Sequence, residues 1–382
     1  MIKVLHIVDL SKMGGVEVMF MHFISKAVKW QNYEHYVFCL RINSKRKTTL
    51  ERLGITLFCP SDNSYNLFYR LSLVRIIKKH NIDIIYGQNF SGSLWGGISK
   101  LFVFNKSYLV CHEHGSIWSV NALSKPFFYF WVAQSDKILA NSNAAAIMIK
   151  KRIFKKEVSV IHNGVVIKSR NSTKVNPMDE FFKIIFIGRI TDIKGVDTLF
   201  EVAKIVLNKN KLVRFIFVGS GDKLPYLKEK TKMYELSENI IFTGVINDVS
   251  DLLLSSHLLI LPSIREPLGN VLIEAGLAGI PSIASRVDGI PEIIDDGTTG
   301  FLIDPTIKVA NFKSTKFVVS KNGELVNPKA LDPYKIAEKI NILINDLGLR
   351  NRMGKNAMKK AKNFTINKYV ANIKKTFDLI NF

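Results

Sequence analysis

Short apolar runs of strand length alternate with helix-length segments along nearly all of this chain, and the alternation starts afresh near its midpoint. A run that is apolar at almost every position is a strand buried on both faces. Strands separated by helices pair in parallel, because each crossover needs a dozen or more residues. The pattern therefore predicts an α/β fold of doubly wound parallel sheets with helices on both faces, built twice. At 382 residues the chain also exceeds the size at which one core usually stops growing.

In the first half the strands are expected at 3–9, 35–40, 55–58, 82–87, 108–112, 137–141 and 158–161. Helices are expected at 16–28, 67–80, 93–102 and 144–152. The polar, aperiodic segment 168–180 is read as the linker. The second half gives strands at 182–188, 214–219, 240–243, 258–261 and 281–285, with helices at 196–207, 224–233 and near 249–254. Short segments at 292–294 and 300–303 follow. Residues 306–332 interrupt the order, and Asn322–Gly323 between extended segments predicts a tight hairpin at 316–326. Helices resume at 333–346, 349–362 and 367–379. Domains are accordingly set at 1–170 and 181–365, with 306–332 as an excursion and 366–382 as a C-terminal helix.

Bulk properties narrow the class. No run approaches eighteen uncharged apolar residues, and the N-terminus reads as a strand and polar loop rather than a signal peptide, so a cytoplasmic protein is expected. Cys39, Cys59 and Cys111 lie in strand-like runs without metal-ligand spacing and read as core thiols. The chain carries 54 basic and 32 acidic side chains, a formal charge of +22, which favours anionic partners. The lysines are scattered and no nucleic-acid module is evident. Two readings stand: a lysine-biased surface, or a patch facing an anionic membrane.

The chemistry concentrates at 265–300. An apolar strand leads into a loop broken by Pro267 and Gly269, and a helix opens at Asn270. Strand, loop and helix N-terminus is where an α/β fold holds an anion, since first-turn N–H groups lack internal partners. Glu266 and Glu274 bracket that start. Glu274 lies among small apolar residues, where a carboxylate needs a partner such as a ligand hydroxyl. Arg189 and Lys194 flank another post-strand loop. Gly14 and Gly15 join the first strand to its helix, although the dinucleotide GxGxxG pattern is absent.

Several stretches together resemble the retaining glycosyltransferases of the family-4 type, with the architecture called GT-B: two Rossmann-like domains facing each other across a cleft. They are Gly14–Gly15–Val16–Glu17, His112–Glu113–His114–Gly115, Asn163–Gly164–Val165, Gly188–Arg189 with Lys194–Gly195, Gly219 and Gly221–Asp222. Glu266 and Glu274 form the E-x7-E pattern, and Gly276, Gly279, Pro281, Gly289, Glu292, Gly297 and Gly300 follow. The excursion at 306–332 departs from the family's short connection and inherits no role.

The resemblance implies a nucleotide-sugar-dependent transferase acting in polysaccharide, lipopolysaccharide or capsule biosynthesis. Its donor would be a UDP- or GDP-sugar, its acceptor a lipid-linked or oligosaccharide hydroxyl, and it would need no metal and no cofactor. It puts Arg189 and Lys194 on the leaving diphosphate, Glu266 beside the donor sugar, and Glu274 on the ribose. Gly14, Gly15, Gly188, Gly219, Gly269, Asn270 and Val271 would line the donor site. His114 would face the donor sugar, with His112 as a rival, and Glu17 would fix its helix start. By the same resemblance the N-terminal domain, 1–170, would take the acceptor and 181–365 the nucleotide sugar, with His112, Glu113 and Trp118 as acceptor-side candidates; alternation puts the two histidines on one face and Glu113 on the other. Two histidines and a glutamate also invite a zinc reading, without a clear third ligand. The aromatic segment 117–131 reads as core, as a binder of a lipid-linked acceptor, or as a bilayer contact beside Lys125 and Lys137. In that family the C-terminal helix crosses back to the N-terminal domain. Competing readings are another GT-B enzyme, such as a sucrose- or trehalose-type synthase or a nucleotide-sugar epimerase, and a non-catalytic nucleic-acid-binding protein.

Overall fold

The computed structural model describes residues 1–11, 14–62, 65–103, 107–153, 156–166, 180–309, 312 and 315–381. The chain divides into two compact units, Met1–Gly164 with Ile366–Phe382, and Val165–Thr365. Nearly all of the segment expected to be the linker, 168–180, lies outside the described residues.

Unit 1 holds strands β1 (Ile2–Leu10), β2 (Tyr33–Ile42), β3 (Thr56–Phe58), β4 (Ile84–Gln88), β5 (Tyr108–Glu113), β6 (Lys137–Ala140) and β7 (Val158–Val160). They form one parallel sheet in the order β3-β2-β1-β4-β5-β6-β7. Its helices are α1 (Gly15–Ala27), α2 (Ser44–Arg52), α3 (Leu67–His80), α4 (Asn89–Phe102), α5 (Lys125–Gln134) and α6 (Asn143–Arg152). The order reverses between β1 and β4, so the loops leaving these two strands diverge and open a crevice at their carboxyl ends, the place where such sheets bind ligands.

Unit 2 repeats the plan with β8 (Phe182–Ile187), β9 (Val213–Val218), β10 (Ile240–Gly244), β11 (Leu258–Leu261), β12 (Ser282–Ser285) and β13 (Gly300–Ile303). The order is β10-β9-β8-β11-β12-β13, with the reversal between β8 and β11. The excursion carries four two-residue strands, β14 (Ile307–Lys308), β15 (Val318–Val319), β16 (Leu325–Val326) and β17 (Lys329–Ala330). β15 and β16 pair as an antiparallel hairpin through Asn322–Gly323. Helices are α7 (Val196–Lys209), α8 (Leu224–Met233), α9 (Ser250–Leu254), α10 (Asn270–Ala278), α11 (Ile290–Ile293), α12 (Pro333–Asn345) and α13 (Leu347–Ala361).

The last helix, α14 (Ile366–Asp378), belongs to unit 1. Tyr369, Val370, Ile373 and Phe377 recur at helical spacing and are buried with Phe20, Phe23 and Tyr86 in that unit's core. Tyr369 meets the Phe23 ring edge-on at 5.7 Å, and Phe377 meets Tyr86 at 5.3 Å.

Several elements differ from the sequence reading, among them α5, β14 and β17, which it did not name. α2 was not foreseen, because Ser44–Arg52 has Leu50 as its one buried apolar side chain and so shows no apolar stripe. α4 starts four residues before the expected 93. Residues 290–293 form one helical turn with Pro291 in its first positions, where the missing N–H costs nothing. The aromatic segment 117–131 is divided: Trp118, Phe128 and Trp131 are buried, whereas Leu123, Phe127 and Tyr129 are exposed.

The small residues around Glu274 have a packing cause. A Cβ on Gly276 would sit 2.9 Å from the Ala361 side chain, and one on Gly354 would sit 2.2 Å from the carbonyl oxygen of Gly279. α10 and α13 thus touch backbone to backbone, which fixes the helix that carries Glu274. Gly354→Ala is expected to destabilise unit 2 by about 1–3 kcal/mol in chemical denaturation. Gly348→Ala in the same helix, whose Cβ meets only side-chain atoms, should change stability by less than about 1 kcal/mol. Equal effects of the two substitutions would contradict this packing.

Candidate active site

In unit 2 the residues singled out from the sequence fall on the two sides of the β8/β11 reversal. After β8 the chain passes Gly188 and exposed Arg189, then makes a 3-10 turn, Asp192–Lys194, closed by Gly195 at φ +66°. A Cβ at Gly195 would lie 2.1 Å from the carbonyl of Pro262, so the loops after β8 and β11 run in contact. The Ile264 N–H donates to the Ile193 carbonyl at 2.8 Å, tying them further. Across this seam Lys194 Nζ donates to Glu266 Oε2 in a largely buried ion pair. Ser263 Oγ donates to the same oxygen at 3.3 Å. The Glu266 main chain is held as well: its N–H donates to Asp288 Oδ2 at 2.9 Å, and its carbonyl accepts from Gly289 N–H at 3.2 Å.

Gly269 follows in the left-handed region, φ +92°, and serves as N-cap of α10 with no side chain to cap the first turn. The amides that open α10 at Asn270 and Val271 therefore have no side-chain cap from that residue, with the positive end of the helix dipole behind them. One turn on, Glu274 is half-buried. Among the described residues its carboxylate has no ion pair or side-chain hydrogen bond. Burial, reinforced by Asp248, pushes its pKa up to about 7. Arg189 likewise makes no ion pair with the described residues, so this rim holds one open cation and one open carboxylate. Gly219, expected to line the donor site, has a structural cause of its own: its Cβ would overlap the Gly188 carbonyl at 1.9 Å.

Unit 1 gathers its predicted residues at the ends of β1, β4 and β5. Gly14 is the N-cap of α1, which begins at Gly15; the Glu17 carboxylate folds back to where a Gly14 Cβ would stand. His114 follows β5 and is 5% exposed. Its Nδ1 lies 3.0 Å from Asn163 Oδ1 and its Nε2 3.2 Å from the Gln88 side-chain amide. Burial holds its pKa down, at about 4, so the ring is neutral at physiological pH. A neutral imidazole donates once and accepts once. The pairing closes with Nδ1–H on Asn163 and the Gln88 amide NH2 turned toward Nε2, which also gives that otherwise orphaned NH2 an acceptor.

Three expectations on this strand are corrected. His112, the rival to His114 for the donor sugar and an acceptor-side candidate, is fully buried, its Nδ1 2.6 Å from the Tyr86 hydroxyl, its ring 4.0 Å from that of His114. Glu113 does point to the opposite side, but its buried carboxylate is consumed by the following loop. It accepts from Gly115 N–H at 2.6 Å, from Ile117 N–H at 3.1 Å and from Ser116 Oγ. Trp118 is 1% exposed and presents no side chain to a ligand. Among the described residues no group of three or more His, Cys, Asp or Glu is placed to hold a metal ion. Sequence reasoning missed Asp288, Ser263 and Gln88, and singled out Asn163 without giving it a role; all four act by orienting the residues it did find.

With this geometry in view, the comparisons with known proteins converge. Residues 13–168 match the family described as Glycosyltransferase Family 4, and residues 167–316 match Glycosyl transferases group 1. The chain belongs to the family-4 glycosyltransferases with GT-B architecture. It is 27% identical over 331 residues to an uncharacterized 41.2 kDa protein in the cps region of Klebsiella pneumoniae, covering 79% of this chain and 86% of that one. It is 27% identical over 257 residues to N-acetyl-alpha-D-glucosaminyl L-malate synthase of Bacillus anthracis, covering 63% of this chain and 66% of that one. In structure it is similar to Anabaena HepE in complex with UDP and glucose, with a TM-score of 0.78, 21% identity and full coverage of both chains.

The open carboxylate gives a pH signature. Because the Glu274 pKa is raised in the folded protein, the fold binds an extra proton between the ordinary glutamate range and about 7. Its contribution to stability is present below that window and lost as pH rises through it. Glu274→Gln should therefore unfold at a higher temperature than the wild type at pH 8, with the difference vanishing near pH 4.5. A difference that does not change with pH would contradict the placement.

Proposed function

We propose that this glycosyltransferase acts with retention and moves a hexose-type sugar from a UDP- or GDP-sugar, without bound metal. The acceptor would be a hydroxyl on a lipid-linked or other surface-glycan precursor. The observation that carries the reading is the cationic rim at the β8/β11 reversal: Lys194 on Glu266, open Arg189, and the start of α10 behind the side-chain-free N-cap Gly269. A departing nucleoside diphosphate gains negative charge as the glycosidic bond lengthens. Two cations and preoriented amides stabilise that charge without reorganising, the role a metal plays in other enzymes.

In this reading Lys194 is shared between Glu266 and the diphosphate, and Glu266 lies against the donor sugar where positive charge develops. Glu274 accepts from the ribose hydroxyls, which supplies its missing partners. His114, locked neutral, presents its ring edge to the sugar, while Gly14 and Gly15 leave room at the β1 loop for donor phosphates and acceptor. The presence of UDP and glucose in the structure of HepE, and the capsule-region relative, support this choice of donor and pathway class. Family membership sets aside the nucleic-acid-binding alternative. A peripheral location at the inner face of the cell membrane is supported by the net charge of +22 and by exposed Leu67, Phe68 and Leu71 on α3 beside Arg75 and Lys79. No helix among the described residues is long and apolar enough to cross a membrane.

The test is a panel of nucleotide sugars scored by thermal shift and by release of nucleotide. One donor class should stabilise the protein and turn over. Lys194→Ala or Arg189→Ala should then lower turnover at least about 100-fold. Activity should survive a chelator, and the wild type should sediment with anionic but not neutral vesicles. Near-normal turnover in both variants would remove the cations from the site, and a complete, zinc-reversible loss would overturn metal independence.

A further inference from the structure

Arg70 is an anomaly in unit 1. It sits on α3 with 9% of its surface exposed, yet among the described residues its guanidinium makes no ion pair and no hydrogen bond. Its contacts are aromatic: it lies 4.1 Å from the centre of the Tyr65 ring and 5.5 Å from that of Trp95. Aromatic faces orient a cation without using its N–H donors. None of the Arg70 nitrogens is among the water-excluded atoms that lack a partner, so the fork stands oriented, unpaired with protein and open to a solvent-borne oxyanion.

The nearest carboxylate cannot serve. Asp9, at the end of β1, is near enough for its charge to act on Arg70, but both of its oxygens are taken. Oδ1 accepts from the Ser11 N–H at 3.1 Å and the Ser11 hydroxyl at 2.7 Å; Oδ2 accepts from Arg41 Nε at 3.0 Å and Nη2 at 2.6 Å. Arg41, 40% exposed at the end of β2, adds a second cation within electrostatic reach of Arg70. Buried Arg46 donates to the Leu10 carbonyl at 2.8 Å and has the Glu17 charge near it, so it belongs to the wall of this end and not to the open cations. Arg70 and Arg41 thus lie at the carboxyl ends of β1 and β2, beside the reversal between β1 and β4, where doubly wound sheets take ligands.

We propose that this edge of unit 1 carries an oxyanion subsite, centred on Arg70 and completed by Arg41, which receives a phosphate or carboxylate group of the acceptor. The inference rests on the reading that unit 1 takes the acceptor. The planar fork of Arg70, held by Tyr65 and Trp95, suits bidentate capture of either oxyanion. Binding neutralises the buried cation, so an acceptor without the anion would leave it uncompensated. The subsite is therefore one of specificity, and it takes no part in bond breaking.

The experiment uses the full chain with saturating UDP, which occupies the anion positions of unit 2. Glycerol 3-phosphate, D-glucuronate and neutral D-glucose are titrated by calorimetry into wild type, Arg70→Gln and Lys209→Ala. At least one anionic probe should bind the wild type, and Arg70→Gln should weaken it at least about tenfold. Lys209→Ala, an exposed basic residue at the end of α7, should leave that affinity unchanged, and glucose should not distinguish wild type from Arg70→Gln. Response to glycerol 3-phosphate alone assigns a phosphate-bearing acceptor, and response to glucuronate alone an acidic sugar. Absence of binding by both anionic probes, or equal binding to wild type and Arg70→Gln, would overturn the proposal.

Arg70→Met guards against a folding artefact. Removing a cation that makes no ion pair should keep or raise the unfolding temperature, whereas a fall would mark Arg70 as a structural residue and overturn the subsite. A protein that ignores UDP yet loses probe affinity in Arg70→Gln would contradict the donor reading alone. One that binds UDP with no effect at Arg70 would contradict this inference alone.

Discussion

Glu266 is the point on which unit 2 is built. Its carboxylate holds Lys194 from the β8 loop and Ser263 from the β11 loop, and its main chain is pinned by Asp288 and Gly289 from the loop after β12. One residue thereby fixes three strand-end loops against one another. Asp288 pays for this with a left-handed backbone, φ +49°, and its other carboxylate oxygen accepts from Val319 N–H at 2.7 Å, so the hairpin of the excursion is tied to the same centre. A site that must receive a multiply charged group gains from such rigidity, because donors already in place need no reorganisation as charge develops.

Unit 1 solves a similar problem with a similar device. Glu113 is a buried carboxylate that gathers three donors of the following loop, and that loop carries His114 into contact with Asn163 and Gln88. In both units a carboxylate at or beyond the end of a strand gathers the donors of the loops around it. The exceptions are informative. Glu274 and Arg70 are two charged groups that make no ion pair or side-chain hydrogen bond among the described residues, and each lies beside the reversal of its own sheet.

The alternation of apolar runs and helices was legible because strands buried on both faces have no polar positions to blur them. β1, β8, β9 and β11 lie where those runs stand. α2 was not legible, since a helix that buries little carries no stripe; its one local signal was Asn43, whose side chain caps the Arg46 N–H. Glu266, Glu274, Arg189 and Lys194 were found because strand, loop and helix start are local patterns. Asp288 was not, because its role depends on partners 22 and 31 residues away. His112 and Trp118 look from sequence like site residues and prove to be core, because the contacts that bury His112, to Tyr86 and Tyr369, are remote in the chain. Arg70 reads in sequence as one more basic residue on an amphipathic helix; only Tyr65 and Trp95 in three dimensions reveal that it is buried.

The central claim is that the start of α10 and the Lys194–Glu266 seam receive a nucleoside diphosphate. A crystal structure of the protein soaked with UDP tests it most directly. The account predicts diphosphate oxygens within hydrogen-bond distance of the Asn270 or Val271 amides and of Lys194 or Arg189, with the ribose hydroxyls on Glu274. UDP seated elsewhere in unit 2, or on unit 1 with this rim empty, would contradict it.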